Sequence, residues 1–306
     1  MARVSKPLTM ARLNDTILGC FQLVKPSETL DHLIRYLGTW SGSDKLFMVV
    51  QYALKLIVQL LQLRARLQHR AGLRPSAKSG TAAGYTKLAG VIGDSRTLWR
   101  FWGLLPIVQW LVSLERNPPV TRTLLTIERL QGWSMLGYYP LEHLYYLVSH
   151  KIIPSTITFP LSSLSAKPRK LNLDAGKLSL WSTRFWAAYV FLHIAHLFED
   201  RKLLIQKQRA LRKFKGTGLT SEEKIEISQR WDAFWSEVVI NLGNLPLTIH
   251  WSLENGLIKN EFWVNLLGFI TAVASFRSGW KATALPPAPP SPPAPAAEEK
   301  KDDIVI

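Results

Sequence analysis

Two histidines three residues apart, His193 and His196, are the pair of side chains in this sequence best spaced to act together. On a helix this spacing puts both imidazoles on one face, where they could bind zinc if further ligands lay nearby. The surrounding helix is apolar, no carboxylate is expected on that face, and the single cysteine, Cys20, cannot build a cysteine-based zinc site. We therefore expect no metal site and interpret the pair as packed within a helical bundle.

Other catalytic patterns are missing from the sequence. Glu142 and His143 are adjacent but lack the spacing of a metalloprotease. There is no Gly-x-Ser-x-Gly turn and no glycine-rich phosphate loop after a strand. We therefore expect that the chain is not an enzyme and that it binds no cofactor.

Anion binding is the chemistry that the basic residues favour, because the 306 residues carry a formal net charge of +16. Basic side chains beside apolar segments attract anionic headgroups by about 1 kcal/mol each, whereas nucleic-acid surfaces interleave basic and aromatic residues. Here the aromatics lie in apolar runs away from the charge, so we expect anionic membrane lipid as a partner and no nucleic acid. The headgroup candidates are Lys55, Arg64, Arg66 and Arg70, and the targeting candidates are Arg209, Arg212, Lys213 and Lys215.

Residues 42–70 form the element that must position the first of these basic groups. At 100° per residue, polar side chains fall on one narrow stripe, which predicts a long amphipathic helix with Ser43 as its N-cap. The polar stripe contains Asp44, Gln51, Lys55, Gln59, Gln62, Arg66 and His69, and the opposite face contains Leu46, Val50, Leu54, Ile57, Leu60 and Leu61.

This helix matches neither of two simple templates. Its apolar face is wider than the roughly 100° stripe of a surface helix, yet Lys55 and the glutamines interrupt the roughly 20 apolar residues of a spanning helix. We expect it to lie in the cytosolic leaflet, with Leu46, Val50, Leu54, Ile57 and Leu61 in the acyl region and Gln51, Lys55, Gln59 and Arg66 toward water or headgroups. Packing of its apolar face against later helices is the alternative.

The rest of the chain divides by composition. Several further runs are nearly long enough to span a bilayer, and basic residues or tryptophans flank them, which predicts short or polar-laced membrane segments. The predicted regions are an N-terminal amphipathic helical region, 1–70; a basic flexible loop, 71–97; central helical segments, 98–153; a basic loop, 154–177; a C-terminal helical membrane region, 178–280; and a Pro-rich, charged, disordered tail, 281–306.

The stretch LIRYLGTWSGSDKLFMVVQYALKLI, residues 33–57, resembles the peroxin-11 family of peroxisomal membrane proteins. In that family a short helix ends in a small-residue turn, and a Gly-x-Asp-Lys pattern and an apolar helix with Gln-Tyr follow. Gly42, Asp44, Lys45, Gln51 and Tyr52 match those positions. The resemblance extends in order and length over most of residues 28–280. Ser43, where the family usually has arginine, and the Pro-rich tail indicate a divergent branch, similar to the fungal or gamma-like members.

The resemblance implies an all-α membrane protein that remodels and elongates the peroxisomal membrane before fission. It further implies insertion of an amphipathic helix into one leaflet, self-association into a homo-oligomer, and work with dynamin-type fission machinery. A pore-forming or metabolite-transfer role in the same membrane is the alternative function. The endoplasmic reticulum membrane is the alternative location, because sorting signals of membrane proteins are diffuse.

Overall fold

The computed structural model describes residues 17–158, 170–214 and 220–285, together with Met10 and Asn14. Two short 3-10 helices, Leu18–Leu23 and Arg100–Gly103, accompany the α-helices, and two three-residue strands, β1 Thr156–Thr158 and β2 Lys170–Asn172, pair antiparallel. The all-α fold class is thereby confirmed, and only the strand pair was not anticipated. The α-helices of the described residues are α1 Glu28–Leu37, α2 Trp40–Arg70, α3 Gly80–Trp99, α4 Leu104–Arg116, α5 Arg122–Ser149, α6 Ala175–Phe214, α7 Ser221–Ser252 and α8 Glu261–Ala282.

The helices pack in a continuous series in space. Moving from one packed neighbour to the next, the order is α4, α5, α6, α7, α8, α2 and α3, and a smaller contact joins α3 to α5. Helix α1 covers the end of α8: His32 stacks on Trp280 with ring centroids 3.8 Å apart, and the Tyr36 hydroxyl donates to the Phe276 carbonyl oxygen at 3.2 Å. The N-terminal segment is thus fastened to the last described helix.

The turn between α1 and α2 differs from the prediction at its cap. The side chain of Thr39, not Ser43, accepts the free backbone N–H of Gly42, at 3.0 Å, so α2 begins at Trp40. The Ser43 hydroxyl instead donates to the Leu37 carbonyl oxygen at 2.6 Å. A Cβ on Gly42 would lie only 2.0 Å from the Tyr36 carbonyl oxygen, so the first turn of α2 requires glycine where the end of α1 passes over it.

A Gly42→Ala variant should therefore lose stability, by about 1–3 kcal/mol, because backbone atoms must separate to admit the methyl group. Gly84→Ala in α3 is the matched control, since its Cβ would meet nothing within 4 Å. Removing a helical glycine there should stabilise by about 0.5–1 kcal/mol. Thermal unfolding of both variants in detergent micelles checks this; a gain of stability at position 42 would contradict the assigned packing.

The prediction of a flexible loop over 71–97 is wrong for most of its length. Helix α3 begins at Gly80, capped by the Ser79 side chain, and continues to Trp99. Four glycines weaken its intrinsic helix propensity, but Ala82 and Ala89 are buried, and Gly93 lets α3 approach Gln51 of α2. Tertiary packing against α2 therefore outweighs local preference.

Prolines and glycines lie within two of the helices without ending them. Helix α5 continues through Gly132, Gly137 and Pro140, and Pro106 lies in the first turn of α4, where the missing N–H is unneeded. A Cβ on Gly137 would collide with the ring of Phe185 on α6, so that glycine serves helix contact. The predicted loop 154–177 contains the two strands and the start of α6, and the proposed tail beyond Leu285 lies outside the described residues.

Candidate membrane-binding helix

The outer face of α2 exposes a row of apolar side chains. Val50 is 38% exposed and Ile57 is 41% exposed, while Leu46, Leu54 and Leu61 are half-buried. Of the five residues expected to insert, two are therefore exposed and three are half-buried. The most open apolar positions of this helix also include residues that were not expected to insert: Phe47, Leu60, Leu63 and Leu67. Phe47 lies three residues before Val50 and Leu60 three residues after Ile57, so their helical spacing could have revealed these two.

The polar stripe of α2 faces the protein, not the solvent, over its first half. Gln51 is only 8% exposed, which contradicts its expected position toward water or headgroups. Arg96 of α3 donates to the Asp44 carboxylate at 2.8 and 3.2 Å and to the Gln51 side-chain oxygen at 2.8 Å. Arg96 lies in a segment that we predicted to be a loop, so the sequence did not reveal a partner for the polar stripe. Its guanidinium group binds Asp44 and Gln51, and this side of α2 therefore faces the protein.

The residues that carry the family resemblance are all packing residues in this region. Gln51 lies against Gly93, where a Cβ would come within 2.3 Å of its side-chain nitrogen, and Tyr52 lies in the same way against Gly268 of α8. Helices within a membrane usually pack closely at small residues, because the hydrophobic effect does not drive them together there. The motif residues thus join α2 to the helices on either side.

The second half of α2 is open to its surroundings. Arg64, Arg66 and Arg70 are exposed, as a headgroup role requires, while Lys55 and Gln59 are half-buried. Lys55 and Gln59 line a cavity of about 480 Å³ between α2, α3, α7 and α8. We expected Lys55 and Gln59 to face bulk water or headgroups, but the structure places both side chains at the wall of this cavity.

Among the described residues, α2 is the one helix long and apolar enough to cross a membrane. Only 17% of its most apolar 18-residue window is buried within the protein. A core helix of a soluble protein would bury most of such a window. Apolar side chains of other helices are open as well, among them Trp133, Phe191, Trp235 and Trp263, so the outward apolar character is not confined to α2.

The basic segment proposed for targeting continues the helix of the apolar run that precedes it. Helix α6 extends to Phe214, and Arg209 and Lys213 are exposed on it. The side chain of Arg212 and all of Lys215 lie outside the described residues. Lys207, also in this segment, pairs with Glu226 of α7 at 2.9 Å, so α6 and α7 are tied together beyond the apolar run.

The expectation that no carboxylate lies near His193 and His196 is wrong. His193 lies 3.5 Å from Glu237 of α7, and His196 lies 3.2 Å from Glu128 of α5 and 3.0 Å from Asp200. Neighbouring helices supply two of these carboxylates, which spacing along one helix cannot reveal. Within the described part of the chain, no group of three or more His, Cys, Asp or Glu side chains is arranged to hold a metal ion.

Comparison with known proteins agrees with this geometry. The model of the family described as peroxisomal biogenesis factor 11 matches residues 30–280. An uncharacterized protein of the fission yeast Schizosaccharomyces pombe is 26% identical over 235 residues, which cover 75% of this chain and 94% of the yeast protein. No solved structure matches the chain. Because the family model spans most of the sequence, from α1 to the end of α8, the chain belongs to the peroxisomal biogenesis factor 11 family.

Proposed function

We propose that this protein remodels and elongates the peroxisomal membrane by placing the outer face of α2 in one leaflet, and so promotes peroxisome proliferation and fission. The observation that carries the proposal is the reversed polarity of α2. Its polar stripe is bound to Arg96 inside the protein, and Val50, Ile57 and Leu60 are left open outside.

Family membership supports the location and the general process. It associates the chain with peroxisomes, with their membrane, and at the family level with their proliferation and division. The family is one of biogenesis factors, not of known enzymes. The peroxisomal membrane is therefore our proposed residence, and the endoplasmic reticulum membrane is the alternative outcome when a tagged chain is imaged beside a peroxisomal marker.

Energetics favour insertion by apolar contact, not by charge alone. Burying one side chain such as Val50 or Ile57 contributes roughly 1.5–3 kcal/mol, whereas headgroup attraction is screened by salt within about 10 Å. Arg64, Arg66 and Arg70, exposed at the end of α2, would add about 1 kcal/mol each near anionic lipid. The apolar residues would thus hold the helix in the leaflet, and the arginines would select anionic lipid.

A pore or metabolite-transfer role is the second candidate, and the polar cavity beside Lys55 favours it. One preparation separates the two functions: the purified full-length chain in anionic liposomes loaded with solutes of graded size. Membrane remodelling predicts tubules visible by electron microscopy with solutes retained. Size-dependent solute release from round vesicles would instead support the pore and contradict remodelling.

Self-association would allow many copies of α2 to act on the same patch of membrane. We propose a homo-oligomer that recruits dynamin-type fission machinery after elongation, as the family resemblance implies. Crosslinking of the full-length chain in liposomes should give ladders of oligomers. Monomers only, at densities that produce tubules, would exclude oligomerisation as the source of curvature.

The basic end of α6 is proposed to contribute to membrane targeting. Replacing Arg209, Arg212, Lys213 and Lys215 by glutamine should shift a tagged chain from peroxisomes to the cytosol or to other membranes, because headgroup attraction adds over neighbouring charges. Imaging and carbonate extraction measure the shift. The matched control replaces the exposed Lys224 and Arg230 of α7 instead; unchanged localisation and retention of the first variant would exclude a targeting role.

A further inference from the structure

The cavity between α2, α3, α7 and α8 is lined by charged as well as polar side chains. Lys55 is the middle residue of α2, the helix that could cross a membrane, and it lines this cavity of about 480 Å³. An ionisable side chain at such a position is costly unless it faces a partner or a polar cavity. Its ammonium group lies over the Tyr52 ring, 5.1 Å from the centroid, and no carboxylate of the described residues lies within ion-pair distance of it.

Opposite charges line this cavity without touching each other. Glu261, the first residue of α8, contributes to the same lining as Lys55, yet the two groups form no ion pair. The remaining polar lining comes mainly from Gln59 and Gln62 of α2, Thr86 of α3 and Asn265 of α8. A cation and an anion held apart across a polar space suit a ligand that carries both charges.

A histidine supplies a further donor whose protonation the structure fixes. The backbone N–H groups of Leu257 and Ile258 both donate to His250 Nδ1, at 2.9 and 3.0 Å. Nδ1 is therefore an acceptor, and the neutral ring carries its proton on Nε2. His250 and Lys55 both line the cavity, and we infer that this N–H is available to an anionic oxygen there.

We propose that this cavity binds the headgroup of a phospholipid with a phosphate and a primary ammonium, as in phosphatidylethanolamine. The phosphate lies by Lys55 and His250, and the ammonium donates to the Glu261 carboxylate. A quaternary ammonium has no N–H to donate and prefers a cage of aromatic rings, whereas Trp251 is the one aromatic residue in the lining. The site is separate from the outer face of α2 that the proposed function uses.

The surroundings of the cavity favour a lipid over a free phosphate compound. Val58, Ala89 and Val264 form an apolar part of the lining. Beside the lining residues of α3, Leu88 and Val91 are exposed. Acyl chains attached to a bound headgroup would lie along these side chains, and their burial would add to the affinity.

Native mass spectrometry of the full-length chain in detergent tests the site. The chain is offered an equimolar mixture of phosphatidylethanolamine, phosphatidylcholine and phosphatidylglycerol with identical acyl chains. We expect the ethanolamine lipid to be retained about tenfold over the other two, which is the factor that one charge-assisted hydrogen bond provides. Lys55→Gln should lower retention of every lipid by about tenfold, and Lys55→Arg should restore it.

Glu261→Gln should abolish the preference for ethanolamine and leave retention of phosphatidylglycerol unchanged. The matched controls, Lys224→Gln and Glu254→Gln, change exposed residues outside the cavity and should retain the wild-type pattern. Circular dichroism establishes that each variant is folded. Equal retention of the three lipids by the wild type, or an unchanged preference in Glu261→Gln, would overturn the proposal.

Soluble competitors distinguish the lipid from other sources of phosphate. Glycerophosphoethanolamine should displace the lipid weakly, and inorganic phosphate should be weaker still because it lacks the ammonium group. If inorganic phosphate competes as well as glycerophosphoethanolamine, the ammonium is not recognised and the proposal fails. If glycerophosphoethanolamine binds as tightly as the lipid, the acyl chains contribute nothing and the assignment to a lipid fails. Tubulation is scored separately, so neither result depends on membrane remodelling.

Discussion

The full-length chain carrying Val50→Asp and Ile57→Asp should bind anionic liposomes at least about a hundredfold more weakly than the wild type and should fail to form tubules. Val50 and Ile57 are 38% and 41% exposed, so burial of the open part contributes only roughly 1 kcal/mol each, but each aspartate adds the cost of a charge in the apolar layer, on the order of 2.5–3.5 kcal/mol at its centre. Each tenfold in affinity is about 1.4 kcal/mol. Liposome flotation and electron microscopy measure the two effects. The fold should survive, because both side chains point away from the protein interior.

The matched control for this variant changes the same residue types elsewhere. Val120 and Ile152 are exposed in loops outside α2, so Val120→Asp with Ile152→Asp adds equal charge without touching the proposed membrane face. Binding and tubulation by the control should equal those of the wild type. Leaflet insertion by α2 would be wrong if both double variants behaved alike, or if wild-type binding vanished in moderate salt, since salt screens charge but not apolar contact.

Removal of the Arg96 side chain should be the most damaging change inside the protein. Arg96→Met leaves the partly buried Asp44 carboxylate without its cation and the buried Gln51 without its donor. Breaking one partner of a buried ion pair typically costs about 3–5 kcal/mol. Unfolding in micelles should show this loss, and Asp44→Asn combined with Arg96→Met should lose less than the sum of the single changes.

Arg129 and Glu115 provide an internal control with similar geometry. Their bond also joins two helices through two guanidinium nitrogens, at 2.6 and 2.5 Å, but the Arg129 side chain is 35% exposed whereas that of Arg96 is 8% exposed. Arg129→Met should therefore cost no more than about 1 kcal/mol. Equal losses of stability in Arg96→Met and Arg129→Met would show that burial is not the cause of the loss at Arg96.

The sequence was sufficient for local structure where local signals are strong. Ser27 caps the short helix α1, and Thr220 with Glu223 forms a capping box at the start of α7, as serine and the Thr-x-x-Glu pattern typically do at helix starts. Both signals depend on residues within one turn of each other. The helical class and the family resemblance followed from the same kind of short-range pattern.

The orientation of α2 could not be predicted from the sequence. Periodicity shows that polar and apolar residues lie on opposite faces, but it does not show which face meets the protein. That depends on Arg96, which lies 45 residues after Gln51 in a glycine-rich helix that propensity alone does not favour. Glu128 beside His196 was missed for the same reason, because it lies on another helix, whereas Asp200 lies four residues after His196 on the same helix and could have been predicted from that spacing.

The length of α6 limits how much of it a bilayer can contain. Its 40 residues extend about 60 Å at 1.5 Å per residue, roughly twice the 30 Å hydrocarbon thickness of a typical bilayer. If the uncharged run 185–198 lies at hydrocarbon depth, the charged end from Glu199 onward must project from it. Lys207 and Glu226 join this end to α7, so the projecting part is a two-helix stalk. Such a stalk would hold the start of α7 a fixed distance from the lipid.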